Sequence, residues 1–188
     1  MGAGKMRIAI VSDVHGNRRA LEAVLADLRD VAPDLVLHGG DLAYGGAHAA
    51  DTVDQVRALG WGGVRGNTDE MLWAPKRLAE FAATSPKIAP LLARIEEMIP
   101  PTLASIGEDR LRWLEGLPCE YSGEGFCLVH ASPGDLWRAP MPNAIDEELQ
   151  NVCVAWRADR GLRAHSSSVR APIARHDRGE FRQRQPIP

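Results

Sequence analysis

Hydrophobic positions change period along the first third of the chain, and the change separates strands from helices. Met6 to Ser12 reads Met-Arg-Ile-Ala-Ile-Val-Ser, a short β-branched run that predicts a strand buried on both faces. It gives way to Asp13-Val14-His15-Gly16-Asn17. Leu21, Val24, Leu25 and Leu28 then recur at three- and four-residue spacing with charged residues between them, which predicts an amphipathic helix capped by Asn17. Pro33 and Asp34 interrupt the chain, and Leu35 to His38 predicts a second strand running into Gly39-Gly40-Asp41. Ala49 to Leu59 predicts a second helix, after which Gly60 to Arg65 leads to the turn Gly66-Asn67-Thr68-Asp69.

Strands alternating with helices imply an α/β fold, a parallel sheet with helices on its faces, and polar groups that follow strand ends then share one edge. Residues 70–105 read as a helical insertion broken into helices and loops by Pro75, Pro86, Pro90, Pro100 and Pro101. Leu111, Trp113, Leu114 and Leu117 predict a short helix stopped by Pro118. Tyr121 to Ser122 and Phe126 to Val129 predict two strands around Gly123-Glu124-Gly125, the second of which delivers His130.

The length of 188 residues suits one domain and excludes two large ones. Hydrophobic residues at 45% and charged residues at 25% exclude a disordered polymer or a fibrous repeat. No apolar run reaches the roughly 18 residues of a membrane span, and Met1 to Lys5 lacks the apolar core of a secretion signal, so the expectation is a cytoplasmic protein with no membrane partner. Cys119, Cys127 and Cys153 form no C-x-x-C pair and are odd in number, which fits reduced thiols. The net charge of −3 conceals an asymmetry: residues 1–156 carry 14 basic and 22 acidic side chains, a net of −8, and residues 157–188 carry 8 arginines against 3 acids, a net of +5.

Four polar clusters fall where strands end: Asp13 with His15, Asp41, Asn67 with Asp69, and His130. Taken singly, each has an ordinary explanation, as a helix cap, a tight turn or a structural histidine. Their joint order and position favour chemistry. Carboxylate, amide oxygen and imidazole together suit divalent cations such as Mn²⁺, Fe²⁺ and Zn²⁺. One cation takes Asp13 and His15, a second takes Asn67 and His130, and Asp41 lies between them to bridge. Two such ions roughly 3.5–4 Å apart share a water as hydroxide and clamp a phosphoryl group for in-line attack.

In order and strand context, Asp13-x-His15, Gly40-Asp41, Gly66-Asn67-x-Asp69 and His130 resemble the calcineurin-like metallophosphoesterase family, over about residues 6–150. The wording of Gly66 to Glu70 and of residues 109–133 is similar to its small bacterial phosphodiesterase-like branch. The resemblance implies a layered β-sheet sandwich flanked by helices and the same metal assignments as above. It also implies two divalent ions, Mn²⁺ first with Fe, Zn or Ni as alternatives, and hydrolysis of a small phosphorylated substrate, phosphodiester or phosphomonoester, by a metal-bridging hydroxide. Asn67 stabilises charge on the phosphoryl oxygens, and Asp69 joins the catalytic groups by orienting a water or a neighbouring ligand. Thr68 stands where many members have a histidine that helps the leaving group.

The family's closing Gly-x-His-x-His strand has no counterpart after His130, and the expectation is that the C-terminal strands are lost. His165 and His176 stand isolated in an Arg- and Ser-rich stretch. Permitted codons for residues 156–188, read from the second nucleotide of each, spell Ala-His-Ile-His-Arg-Pro and then Asn-Ser-Gly-Ser, which points to a change of reading frame. The expected organisation is therefore an incomplete metallophosphoesterase domain over 1–155 and an irregular out-of-frame tail over 156–188. The competing explanation of the tail is a basic extension for phosphate or nucleic acid. Nucleic acid is not expected, because Phe181 is the tail's single aromatic residue after Trp156, and the five tryptophans read as core or interface residues. A non-catalytic scaffold of the same fold is the alternative function, and a homo-oligomer is admitted.

Overall fold

The computed structural model describes residues 6–124, 126–140 and 143–147. The Arg-rich tail, Cys153, Trp156 and the frame change expected there lie outside the described residues. Within them, β1 (Ile8–Val11), β2 (Leu35–His38) and β3 (Gly62–Gly63) form a parallel sheet in the order β1-β2-β3, with Ile8 opposite Leu35 and Leu37 opposite Gly62. The crossovers are α1 (Arg18–Val31) and α2 (Ala49–Leu59). Asn17 caps α1 as expected, its Oδ1 accepting the Ala20 N–H at 3.1 Å. Leu21 of α1 and Ala49, Val53 and Val56 of α2 are buried in the core beside Leu42, Met71, Ile106 and Leu114.

β1 departs from the expectation of burial on both faces: Ile10 is 56% exposed. Among the described residues this strand pairs only with β2, so one edge and part of one face have nothing packed against them.

The proline-rich segment is also more regular than expected. α3 (Asn67–Glu70), α4 (Lys76–Ala83), a 3₁₀ turn (Pro86–Ile88), α5 (Ala89–Glu97) and α6 (Ile99–Glu115) follow one another. Pro75 sits at the N-cap of α4, and Pro86, Pro90, Pro100 and Pro101 occupy first-turn positions. Proline's missing N–H is harmless there and its fixed φ suits a helix start, so these residues begin helices instead of ending them. The short helix expected around Leu111 to Leu117 is the second half of α6, which continues through a kink at Gly107, φ 69°.

β4 (Glu120–Gly123) and β5 (Phe126–Val129) make an antiparallel hairpin, with Tyr121 opposite Leu128. Tyr121 packs against β3, where a side chain at Gly62 would meet its ring. The Arg65 N–H donates to the Pro118 carbonyl at 2.9 Å, which ties the entry to the hairpin to the end of β3. Trp61, Trp73, Trp113 and Trp137 pack as partly buried residues against the core, in line with their expected role.

Candidate metal centre

Parallel strands deliver their C-terminal ends to one edge, and the β1–β2 ladder carries on past both strands. The N–H groups of Asp13, His15 and Gly16 donate to the carbonyls of Gly40, Asp41 and Leu42 at 2.8–3.1 Å. Asp13 (φ 58°), His15 (φ 49°) and Asp41 (φ 55°) adopt left-handed backbone. Such residues cost about 1–3 kcal/mol each, are least unfavourable for Asp, Asn and His, and persist where surrounding structure holds them. The third loop approaches closely: a Cβ at Gly66 would fall on the Asp41 carboxylate, and one at Gly40 would strike the Gly66 main chain. Both positions therefore require glycine, and the pairing of Gly40-Asp41 with Gly66-Asn67 follows from space.

The ligand atoms of Asp13, Asp41 and His130 lie within 4.8 Å of one another. Asp41 is 3% exposed, and its two oxygens face opposite ways. Oδ2 lies 3.7 Å from His15 Nε2, and Oδ1 lies 3.6 Å from His130 Nε2. His15 Nε2 is also 3.9 Å from Asp13 Oδ1, and His130 Nε2 is 2.9 Å from Asn67 Oδ1. Asp41 Oδ1 additionally accepts the Thr68 N–H at 3.0 Å.

Tautomers follow from the far side of each ring. His15 Nδ1 lies 3.0 Å from the Tyr44 carbonyl and His130 Nδ1 lies 2.6 Å from the Gly39 carbonyl. A carbonyl only accepts, so each Nδ1 donates to it, and Nε2 is the nitrogen turned inward, a lone pair wherever the ring is neutral. Two nests of acceptors result: Asp13, His15 and Asp41 on one side, Asn67, His130 and Asp41 on the other. Converging lone pairs repel unless a cation lies among them, and an imidazole pinned by its other nitrogen to a carbonyl is the usual posture of a metal ligand. Carboxylate and imidazole donors gathered in this way are the kind of set a divalent cation takes, so the residues present fit a metal.

Asp69 stands behind the loop of Asp41, the neighbouring candidate ligand. It is fully buried, and Oδ2 accepts the N–H groups of Asp41 and Gly66 at 2.8 and 3.1 Å, while Oδ1 accepts those of Leu42 and Ala43 at 2.9 and 3.4 Å. Both oxygens are spent on main-chain donors, so the carboxylate stitches the second and third loops together and does not reach a substrate. Burial first, and then the Asp41 charge, push its pKa up to about 6 against the pull of those N–H groups.

An open cleft of about 620 Å³ begins at Asp13 and His15 and is lined further out by Arg19, Tyr44, Gly45 and His48. The Tyr44 hydroxyl donates to the Ile95 carbonyl at 2.9 Å, joining α5 to the loop that holds His15. Arg19, Tyr44 and His48 carry no motif that sequence could single out.

His38 does not reach the site. It is fully buried beside Trp113, and burial pushes its pKa down to about 4. The unfolded chain binds a proton at a pH near 6.5 that the folded chain refuses until about pH 4, so this residue makes stability fall as pH drops through that window. Asp69, with a raised value, acts in the opposite sense between its ordinary value and about pH 6. Comparison with His38→Leu isolates the histidine: urea midpoints at pH 7.5 and pH 5 are expected to show the variant losing less stability on acidification, by about 2 kcal/mol. Equal losses in the two proteins contradict the assignment.

The sequence of residues 6–169 matches the family model for calcineurin-like phosphoesterases. The chain belongs to this family, and is a hydrolase by lineage. A protein of Methanocaldococcus jannaschii is 28% identical over 149 residues, covering 76% of this chain and 57% of that protein. The crystal structure of a metallophosphoesterase from Sphaerobacter thermophilus superposes with a TM-score of 0.54 at 29% identity, covering 72% of this chain and 51% of that one. The chain thus spans little more than half the length of these relatives. No helix among the described residues is long and apolar enough to cross a membrane, and neither Cys119 nor Cys127 is in a disulfide among them.

Proposed function

We propose that the site binds two divalent cations, Mn²⁺ foremost, and hydrolyses phosphodiester or phosphomonoester bonds of a small substrate in the cytoplasm. One observation carries this reading: the two oxygens of Asp41 face two different imidazoles, each held at its far nitrogen by a main-chain carbonyl. Held by Asp13, His15, Asp41, Asn67 and His130, such cations would supply Lewis acidity and would make water a better nucleophile. The chain's own groups do the rest. Asp13 and His15 form the open rim, Asn67 and His130 the buried wall, and the cleft past Tyr44 and Arg19 receives the part of the substrate beyond the phosphoryl group. The Asn67 side chain orients the phosphoryl oxygens as charge grows on them.

Thr68 brings no imidazole to the leaving group. Its main-chain N–H holds Asp41, and its hydroxyl is buried without a hydrogen-bond partner. Substrates that need no proton on departure are therefore favoured. With Mn²⁺ present, an aryl phosphodiester such as bis(p-nitrophenyl) phosphate is expected to turn over faster than an alkyl phosphomonoester, read as kcat/KM. Equal rates contradict the role given to Thr68, and absence of any Mn²⁺-dependent turnover favours the scaffold alternative.

A further inference from the structure

We propose that Glu70 and Trp137 form a latch that positions Asn67 against His130, which makes both of them positioning residues for the buried half of the site. This rests on the two-cation reading above. Asn67 and Glu70 are the ends of the single turn α3, three residues apart and on one face. His130 and Trp137 belong to the loop that leaves β5. Two bridges join these segments: Asn67 Oδ1 lies 2.9 Å from His130 Nε2, and the Trp137 Nε1–H donates to Glu70 Oε2 at 2.8 Å.

The second bridge is a charge-assisted link between the segments that carry Asn67 and His130, so it fixes where those two side chains meet. The loop between His130 and Trp137 is stiff enough to transmit it. Ser132 and Asp135 exchange main-chain hydrogen bonds at 3.0 and 3.1 Å, and Asp135 Oδ1 accepts the N–H groups of Trp137 and Arg138. The outer end is anchored on α4 and the residue after it. The Trp137 ring lies 5.5 Å from Phe81, Arg138 donates to Thr84 Oγ1 at 2.6 Å, and Arg77 steadies the Glu70 carboxylate from 3.5 Å.

The test is Mn²⁺ binding to the full chain by titration calorimetry, in wild type, Trp137→Phe, Glu70→Ala and Glu70→Gln, with thermal melting of each cation-free protein. Trp137→Phe keeps the ring on Phe81 and removes only the N–H. It and Glu70→Ala are expected to weaken one of two Mn²⁺ sites by about tenfold or more while leaving the other within about twofold. Glu70→Gln, whose amide oxygen still accepts the indole N–H but without the charge, is expected to fall between wild type and Glu70→Ala. In an Asn67→Ala background the latch substitutions should then add nothing further, as coupled residues do. A merely structural role predicts lowered melting and equal weakening of both sites, and that result overturns the proposal. So does unchanged binding in all variants, or a Glu70→Gln protein as impaired as Glu70→Ala. A wild type that takes up fewer than two ions overturns the two-cation reading itself and the latch with it. Two ions in wild type without selective loss in the variants overturn the latch alone.

Discussion

On the two-cation reading proposed above, Asp41→Asn is expected to lower Mn²⁺-dependent phosphoesterase activity by about a thousandfold, because a carboxylate shared by both cations would serve each, and each would contribute several kcal/mol of charge stabilisation. The choice of asparagine matters. Its side chain tolerates the left-handed backbone at φ 55°, so the loop is expected to keep its shape where alanine would strain it. The Thr68 N–H selects which way the new amide lies: the oxygen stays on Thr68 and His130, and the NH₂ turns toward His15. Calorimetry should therefore show the cation on the Asp13 and His15 side lost first, with the cation-free protein still folded by circular dichroism. Full activity in this variant removes the bridging role of Asp41 and, with it, the two-cation mechanism.

The second large effect is on stability. Asp69→Ala strips the acceptor from four N–H groups, those of Asp41, Leu42, Ala43 and Gly66, in a site with no room for solvent at the carboxylate. Each orphaned donor costs about 1–3 kcal/mol, and since the four are coupled the total is expected near 3–5 kcal/mol, a large part of a small domain's stability. Asp69→Asn keeps one oxygen and so one pair of bonds, and is expected to lose about half as much. Thermal melting of the two variants beside wild type measures both. A melting point for Asp69→Ala within a degree or two of wild type denies that the carboxylate ties the loops.

Asp69 also marks where reading the sequence stops being sufficient. A carboxylate two residues after Asn67 invites a place among the catalytic groups, because residue type and spacing say nothing about which main-chain donors surround it. The three-dimensional register of Gly40-Asp41 against Gly66-Asn67 decides the matter, and it is set by glycines whose crowding is visible only once the loops are together. By contrast, the meeting of Asp13, Asp41 and Asn67 at one edge was legible, since hydrophobic runs of strand length alternating with an amphipathic helix imply a parallel sheet, and parallel strands point their ends alike. α2 was legible to the residue, Ala49 to Leu59, and the start of α1 from its Asn17 cap and apolar spacing.

The proline-rich stretch was ambiguous because proline ends one helix and starts another equally well, and only the caps distinguish the two. The Glu70–Trp137 bond spans 67 residues and leaves no periodic trace, so long-range polar contacts of this kind lie beyond any local pattern.

The site is unevenly covered: the Asp13 side chain is 58% exposed and that of His130 only 9%. Among the described residues solvent thus meets the Asp13 side far more freely than the His130 side, so on the proposed two-cation reading an ion held by Asp13 would exchange faster than one held by His130.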